Sequence, residues 1–363
     1  MSAEPKRILI LSDGRAGHVS TSRGMADLLA SEGSVAIDRL EIRLRAKALR
    51  PILKWLVNAS LACRLLAAMP AWPRLFYRGY TAGPANVVIS AGGDTIYLNA
   101  LLGRCKPCPN IFCGSLRGVR ADLFDLIVHI RPSDLPNWIA MEVLPSSAEM
   151  GAARAAAAAF AQAHLSGTSP GYWSLLIGGD GSGYRFGVED CVTILQRCAA
   201  LAAKHGKTLL VSTSRRTGKP AELAIRAWLA AHPAAPVAYC VLYNHKPERV
   251  ATAFMALSEW VFCTEDSLSM ISESVLLRRP LVTLATAEAR PAPDHQTLLK
   301  RLAANRRLWR VGLAGIETLD MTAMADAWLP YERADQAVLR KRMLAILSPD
   351  AGASPEQGSP CCP

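Results

Sequence analysis

Short apolar runs bounded by glycine, aspartate or serine recur along the chain, and segments of helical period separate many of them. No other feature constrains the fold as strongly. In the first half the runs are Ile8–Leu11, Val87–Ile89, Ile111–Cys113, Leu126–His129 and Met141–Leu144, with helical patterns at Ser20–Glu32 and Thr95–Leu102. A strand buried on both faces reads as an unbroken apolar run, so this alternation predicts parallel sheets covered by helices. An alanine-rich helix, Ser147–Leu165, then ends in Ser-Gly-Thr-Ser-Pro-Gly at 166–171, the best candidate for a domain junction.

Beyond the junction the alternation restarts. Strands are expected at Tyr172–Ile177, Thr208–Ser212, Val237–Leu242, Trp260–Cys263 and Leu281–Thr283. Helices are expected at Val188–Lys204, Ala221–Ala231, Pro247–Ser258 and Ser267–Leu277, and the final helices Thr322–Ala327 and Tyr331–Leu347 have no strand after them. The predicted architecture is α/β: two Rossmann-like, doubly wound domains over 1–168 and 169–328, a helix over 329–347, and a disordered tail at 348–363 rich in Pro, Gly, Ser and Ala. Two such domains facing a central cleft would place a ligand at the carboxyl ends of their strands.

Composition agrees with two cores: 363 residues, 51% hydrophobic and 20% charged, exclude a disordered chain. The net charge of +11 favours anionic partners. Nucleic acid ranks last, because aromatics are 6% of the chain and no recognised binding motif is present. The opening run Ile8–Leu11 is too short for a signal-peptide core, so a cytoplasmic location and reduced cysteines are expected. Cys105-Lys-Pro-Cys108 and Cys113 lack a second pair to complete four ligands, so no metal is predicted.

Five loops could carry chemistry. Ser12-Asp13-Gly14-Arg15-Ala16-Gly17-His18 joins a strand to a helix, and its glycines allow tight turns near unpaired helix amides. A histidine at the mouth of the sheet is a candidate general base; alternatively Asp13 caps the helix and His18 only packs or faces water. Ser90-Ala91-Gly92-Gly93-Asp94-Thr95 is a second strand-to-helix loop, either a backbone-lined pocket or a capped turn. Gly178-Gly179-Asp180-Gly181-Ser182-Gly183 offers the amides of a diphosphate cradle, with a flexible turn as the alternative and Asp180 as an objection. Arg215 and Arg216, in Ser212-Thr-Ser-Arg-Arg-Thr-Gly218, could neutralise a phosphate leaving group. In Cys263-Thr-Glu-Asp-Ser-Leu-Ser-Met-Ile-Ser-Glu273, Asp266 or Ser267 would cap a helix. Ser269 and Glu273 would then share a face, where a carboxylate can accept two ribose hydroxyls.

Nine basic residues against one acid lie between Arg39 and Arg78. Arg43, Lys47, Arg50 and Lys54 follow helical spacing beside Trp55, although Pro51 divides the segment. Cations interleaved with tryptophan and leucine fit a helix in an anionic membrane interface; the alternative is a core helix with a solvated basic face.

Together, Leu11-Ser-Asp-Gly-Arg-Ala-Gly-His18, Ser212-Thr-Ser-Arg-Arg216 and Thr264-Glu-Asp-Ser-Leu-Ser-Met-Ile-Ser-Glu273 resemble the bacterial branch of the mitochondrial fission protein (elongated mitochondria) family, over roughly residues 5–345. That family is similar to GT-B glycosyltransferases. The resemblance implies an acceptor-binding first domain, a second domain that binds a nucleotide diphosphate sugar, a last helix that crosses back, and catalysis without an essential metal or other cofactor. It sets Gly14, Gly17, His18, Gly92 and Gly93 on the acceptor side. It sets Gly178, Gly179, Gly181, Ser182, Arg215, Arg216, Ser267, Ser269 and Glu273 on the donor side. The expected reaction is sugar transfer to a lipid or glycan acceptor at the membrane face, with His18 or Asp13 as base. The alternatives are a non-catalytic membrane-peripheral adaptor and, third, a nucleotide-sugar epimerase.

Overall fold

The apolar runs become parallel strands in a computed structural model that describes residues 6–30, 35–59, 71–81, 83–105, 108–147, 150–165 and 170–347. Two compact units result: Met1–Met141 with Ala334–Pro363, and Glu142–Arg333.

The first unit is built on β1 (Lys6–Ser12), β2 (Val35–Glu41), β5 (Val87–Ala91), β6 (Asn110–Cys113), β7 (Leu126–His129) and β8 (Trp138–Ala140). They form one parallel sheet in the order β2-β1-β5-β6-β7-β8. A small antiparallel pair, β3 (Arg43–Leu44) and β4 (Tyr77–Arg78), stands apart. Central strands such as β5 are buried at every position, which is why they read as solid apolar runs. The helices are α1 (Ala16–Ala30), α2 (Arg50–Asn58), α3 (Trp72–Phe76) and α4 (Thr95–Cys105). Leu53 and Val57 of α2 join Trp72, Tyr77 and Phe112 in one core. The strand expected at Met141–Leu144 is β8 at 138–140 instead. Met141 and Val143 are buried, but they lie past the last register pair with β7, His129 and Ala140.

The second unit carries β9 (Tyr172–Ile177), β10 (Thr208–Thr213), β11 (Val237–Val241), β12 (Ser258–Thr264), β13 (Leu281–Ala285) and β14 (Leu308–Gly312). All pairs are parallel, in the order β11-β10-β9-β12-β13-β14. This is the doubly wound order that reverses beside its first strand. Its helices are α5 (Met150–His164), α6 (Val188–Lys204), α7 (Gly218–Ala231), α8 (Ala251–Leu257), α9 (Leu268–Leu276), α10 (Pro293–Ala304) and α11 (Met321–Ala327).

Helix α5 belongs to this unit, so the division falls at Met141/Glu142 rather than at 168. The reason is Phe160, whose ring meets Tyr239 and Phe254 edge-on at 5.0 Å each. Burying such a side chain contributes about 1.5–3 kcal/mol, enough to fix the helix on this core. The last described helix, α12 (Ala334–Leu347), starts later than the expected 329 and belongs to the first unit, where Arg340 Nε donates to the Leu28 carbonyl at 3.1 Å. The tail at 348–363 and most of the junction at 166–171 lie outside the described residues.

Candidate functional site

In the first sheet the strand order reverses between β1 and β5, so the loops after these strands diverge at their carboxyl ends. Both glycine-bearing loops singled out in this half sit there. Asp13 follows β1 and His18 lies in the first turn of α1, with Nδ1 2.9 Å from Asp13 Oδ2. Asp13 Oδ1 also accepts the Arg15 amide at 3.1 Å. Burial works to raise the Asp13 carboxyl. The His18 hydrogen bond and charge, with Arg15, outweigh burial and hold it below its ordinary value. An Nδ1–H donated to Asp13 leaves the Nε2 lone pair as the basic site. Gly14 makes the turn and Gly17 lies in the first turn of α1.

Gly92 and Gly93, both at positive φ, come from the other loop and face the pair. A Cβ at Gly92 would stand 2.5 Å from His18 Nε2, and one at Gly93 2.2 Å from Asp13 Oδ2. Only glycine leaves room for the imidazole and carboxylate.

The second sheet reverses between β9 and β12, and its glycine loop sits at that point. Here the structure corrects the open cradle. The Gly178 amide donates to Thr264 Oγ1 at 2.6 Å and the Gly179 amide to Asp266 Oδ2 at 3.1 Å. These two amides are spent inside the protein. Gly181 pairs with Tyr184 in a tight turn through Ser182 and Gly183, both at positive φ. Asp180 accepts the Phe186 amide at 3.0 Å, so its carboxylate is tied to its own loop. Arg216 is likewise engaged, pairing with the fully buried Asp266, while Arg215 is exposed. Burial lifts the Asp266 carboxyl above its ordinary value despite Thr264 and Arg216.

Helix α9 starts next to this knot. Ser267 holds the N-cap position without a capping hydrogen bond, and its Oγ lies 3.4 Å from that of Ser269. One turn on, Glu273 is mostly buried and no donor among the described residues reaches its carboxyl. Burial alone raises it to about 7. Among the described residues its lone pairs are left without a donor.

Sequence reasoning missed Glu265. It is fully buried and accepts Arg310 Nε and Nη2 at 2.7 and 2.8 Å, the Tyr184 hydroxyl at 2.7 Å and Thr283 Oγ1 at 2.9 Å. Burial raises its pKa, but these donors outweigh it and hold the carboxylate below its ordinary value. His295 Nε2 lies 2.6 Å from the Glu265 carbonyl oxygen. The network ties the turn at 181–184 to β13 and β14. Arg310 could not be found because the sequence shows no apolar run around β14.

The basic stretch is not one helical face. Arg43 is in β3, Lys47 in a turn of 3₁₀ helix, and α2 begins at Arg50 because Pro51 fits only its first turn. Arg50 forms a bidentate pair with Asp94 at 2.7 and 2.9 Å. Lys54 lies against Gly118, where a Cβ would stand 2.4 Å from Nζ. Trp55 is 66% exposed, and Ile52 and Leu75 are exposed too. Arg64 lies outside the described residues. No described helix is long and apolar enough to cross a membrane. Cys108 and Cys113 are buried, and burial pushes the Cys113 thiol up to about 12.

Two parallel doubly wound units, each with candidate residues at its point of strand reversal, define the GT-B type of fold. Solved structures share it: S. aureus MnaA with UDP (TM-score 0.57, 11% identity, 97% of this chain and 100% of that one). A UDP-GlcNAc 2-epimerase from Neisseria meningitidis bound to UDP-GlcNAc is similar as well (0.54, 12%, 94% and 99%). So is a Listeria monocytogenes protein assigned as a UDP-N-acetylglucosamine 2-epimerase (0.59, 10%, 95% and 96%). The family model described as Mitochondrial fission ELM1 matches residues 16–329, and the chain belongs to that family. No curated protein matches the sequence.

Proposed function

We propose that the protein is a glycosyltransferase that moves a sugar from a nucleotide diphosphate sugar, in the first instance a UDP-sugar, to a lipid or envelope-glycan acceptor at the cytoplasmic membrane face. The observation that carries this reading is Glu273, a mostly buried carboxyl that no donor among the described residues reaches, on the helix that follows the strand-reversal point. No donor among the described residues repays its desolvation, whereas two ribose hydroxyls would. The nucleotide ligands of the S. aureus and N. meningitidis structures support a nucleotide-sugar partner.

His18 Nε2 takes the acceptor hydroxyl proton, and Asp13 orients the ring and stabilises the imidazolium. The acceptor oxygen bonds to the anomeric carbon as the bond to the diphosphate breaks, and the electron pair leaves on the nucleoside diphosphate. Exposed Arg215 and half-exposed Arg216 stabilise that charge, with Ser269 and the start of α9 beside Glu273. Exposed Trp55, Ile52 and Lys54 suit a lipid interface.

Calorimetric titration of uridine, adenosine, guanosine and thymidine diphosphates tests the reading. Wild type should bind one of them, and Glu273→Ala should weaken it at least about tenfold, the worth of one charge-assisted hydrogen bond. A wild-type chain that binds none contradicts the proposal. That result would favour a non-catalytic adaptor, a reading to which the internally spent amides of Gly178 and Gly179 already lend weight.

A further inference from the structure

Beside the His18–Asp13 pair, the first unit holds an open pocket of ≈ 310 Å³ whose lining includes Asp13, Arg15, Arg43, Lys47, Asp94 and Thr95. We infer that this pocket takes the phosphate or diphosphate group of a phosphorylated acceptor, through the free donors of Arg15, Arg43 and Lys47. The inference rests on the reading of this unit as the acceptor half and names the acceptor's chemical class.

The charge of the pocket decides the matter. Its two acids are already matched: Asp94 gives both oxygens to the Arg50 guanidinium, and Asp13 is held by His18 and the Arg15 amide. Its neutral donors are spent as well, since the Thr95 hydroxyl donates to the Gly92 carbonyl at 2.7 Å and the Tyr77 hydroxyl to the Asp94 carbonyl at 2.7 Å. The cations are what remains. Arg15 is 64% exposed and its Nε stands 3.7 Å from Asp13 Oδ2, beyond hydrogen-bond reach. Arg43 donates from Nη2 to Glu41 at 2.9 Å and keeps its other N–H groups. Lys47 is exposed, and no carboxylate among the described residues pairs with it. Two guanidinium forks and an ammonium with unspent donors match the several acceptor oxygens of a phosphate.

An uncharged glycan would leave those donors unmatched, and a cation would be repelled. Because Asp13 lines the pocket and also holds His18, a phosphate seated here presents a neighbouring hydroxyl to the base. Two of the five residues expected to face a membrane, Arg43 and Lys47, thereby gain a different role.

The phosphate could belong to a soluble molecule or to a lipid headgroup, and the test separates the two. Inorganic pyrophosphate is titrated into the full chain at low salt, with UDP in excess to fill the donor half. Wild type and the Arg43→Gln/Lys47→Gln variant are compared, circular dichroism confirming that the variant is folded. The double variant should bind pyrophosphate at least about tenfold more weakly and bind UDP, titrated separately, as wild type does. Pyrophosphate that does not bind wild type, or binds both proteins equally, overturns the inference. Wild type that binds pyrophosphate but neither UDP nor any of the other nucleoside diphosphates sinks the donor reading instead. Sedimentation with phosphatidylcholine vesicles, with and without dicetyl phosphate, gives the source. Association that needs the phosphate lipid and falls in the variant marks a headgroup, and pyrophosphate binding without it marks a soluble acceptor.

Discussion

Burial acts unopposed on Glu273 and is outweighed on Asp13, so the two carboxyls move in opposite directions from their ordinary values. Asp13 therefore adds stability at neutral pH that is lost only as pH falls through its lowered value. Glu273 does the reverse. With a value near 7 against an ordinary 4.5, the folded chain holds its proton more tightly than the unfolded chain, so stability drops as pH rises between the two. Each pKa unit corresponds to about 1.4 kcal/mol. Glu273→Gln should accordingly gain on wild type by roughly 2–3 kcal/mol between pH 5 and pH 8, read by urea unfolding. A difference that does not change with pH would mean that the carboxyl is solvated. The residue was visible in the sequence through its spacing from Ser269, but that no described donor reaches it was not, because that depends on everything packed around it.

Single elements depend on close contacts that spacing cannot reveal. A Cβ at Gly178 would stand 2.0 and 2.3 Å from the Asp266 carboxylate oxygens, inside a buried knot that also holds Thr264 and Arg216. Gly178→Ala should cost about 2–4 kcal/mol by thermal unfolding. Gly151→Ala, on the exposed first turn of α5 with nothing within 4 Å, should be neutral or stabilising. Equal melting temperatures for the two variants would contradict this account of the loop. Central strands were legible because both of their faces are buried. Edge strands β2 (VAIDRLE) and β14 (LWRVG) were not, because no residue of β2 and only Leu308 of β14 is buried, and their polar residues break the apolar run. Losing β14 hid Arg310, and with it the partner of Glu265, which lies 45 residues away in sequence. Polar-rich α10 was missed for a similar reason: Pro293-Asp-His-Gln opens it without an apolar period.

At the scale of the whole chain, the repeated alternation was enough to read two doubly wound units, and loop order was enough to point to the family. The boundary was not legible, because the glycine and serine after α5 look like a junction while Phe160 anchors that helix beyond it. The central claim is that the second unit holds a nucleotide at its point of strand reversal. Hydrogen–deuterium exchange of the full chain, with and without UDP, tests it most directly. The account predicts slowed exchange in residues 178–184 and 265–273. Exchange left unchanged there by UDP and by each of the other nucleoside diphosphates, or slowed only in the first unit, would contradict it.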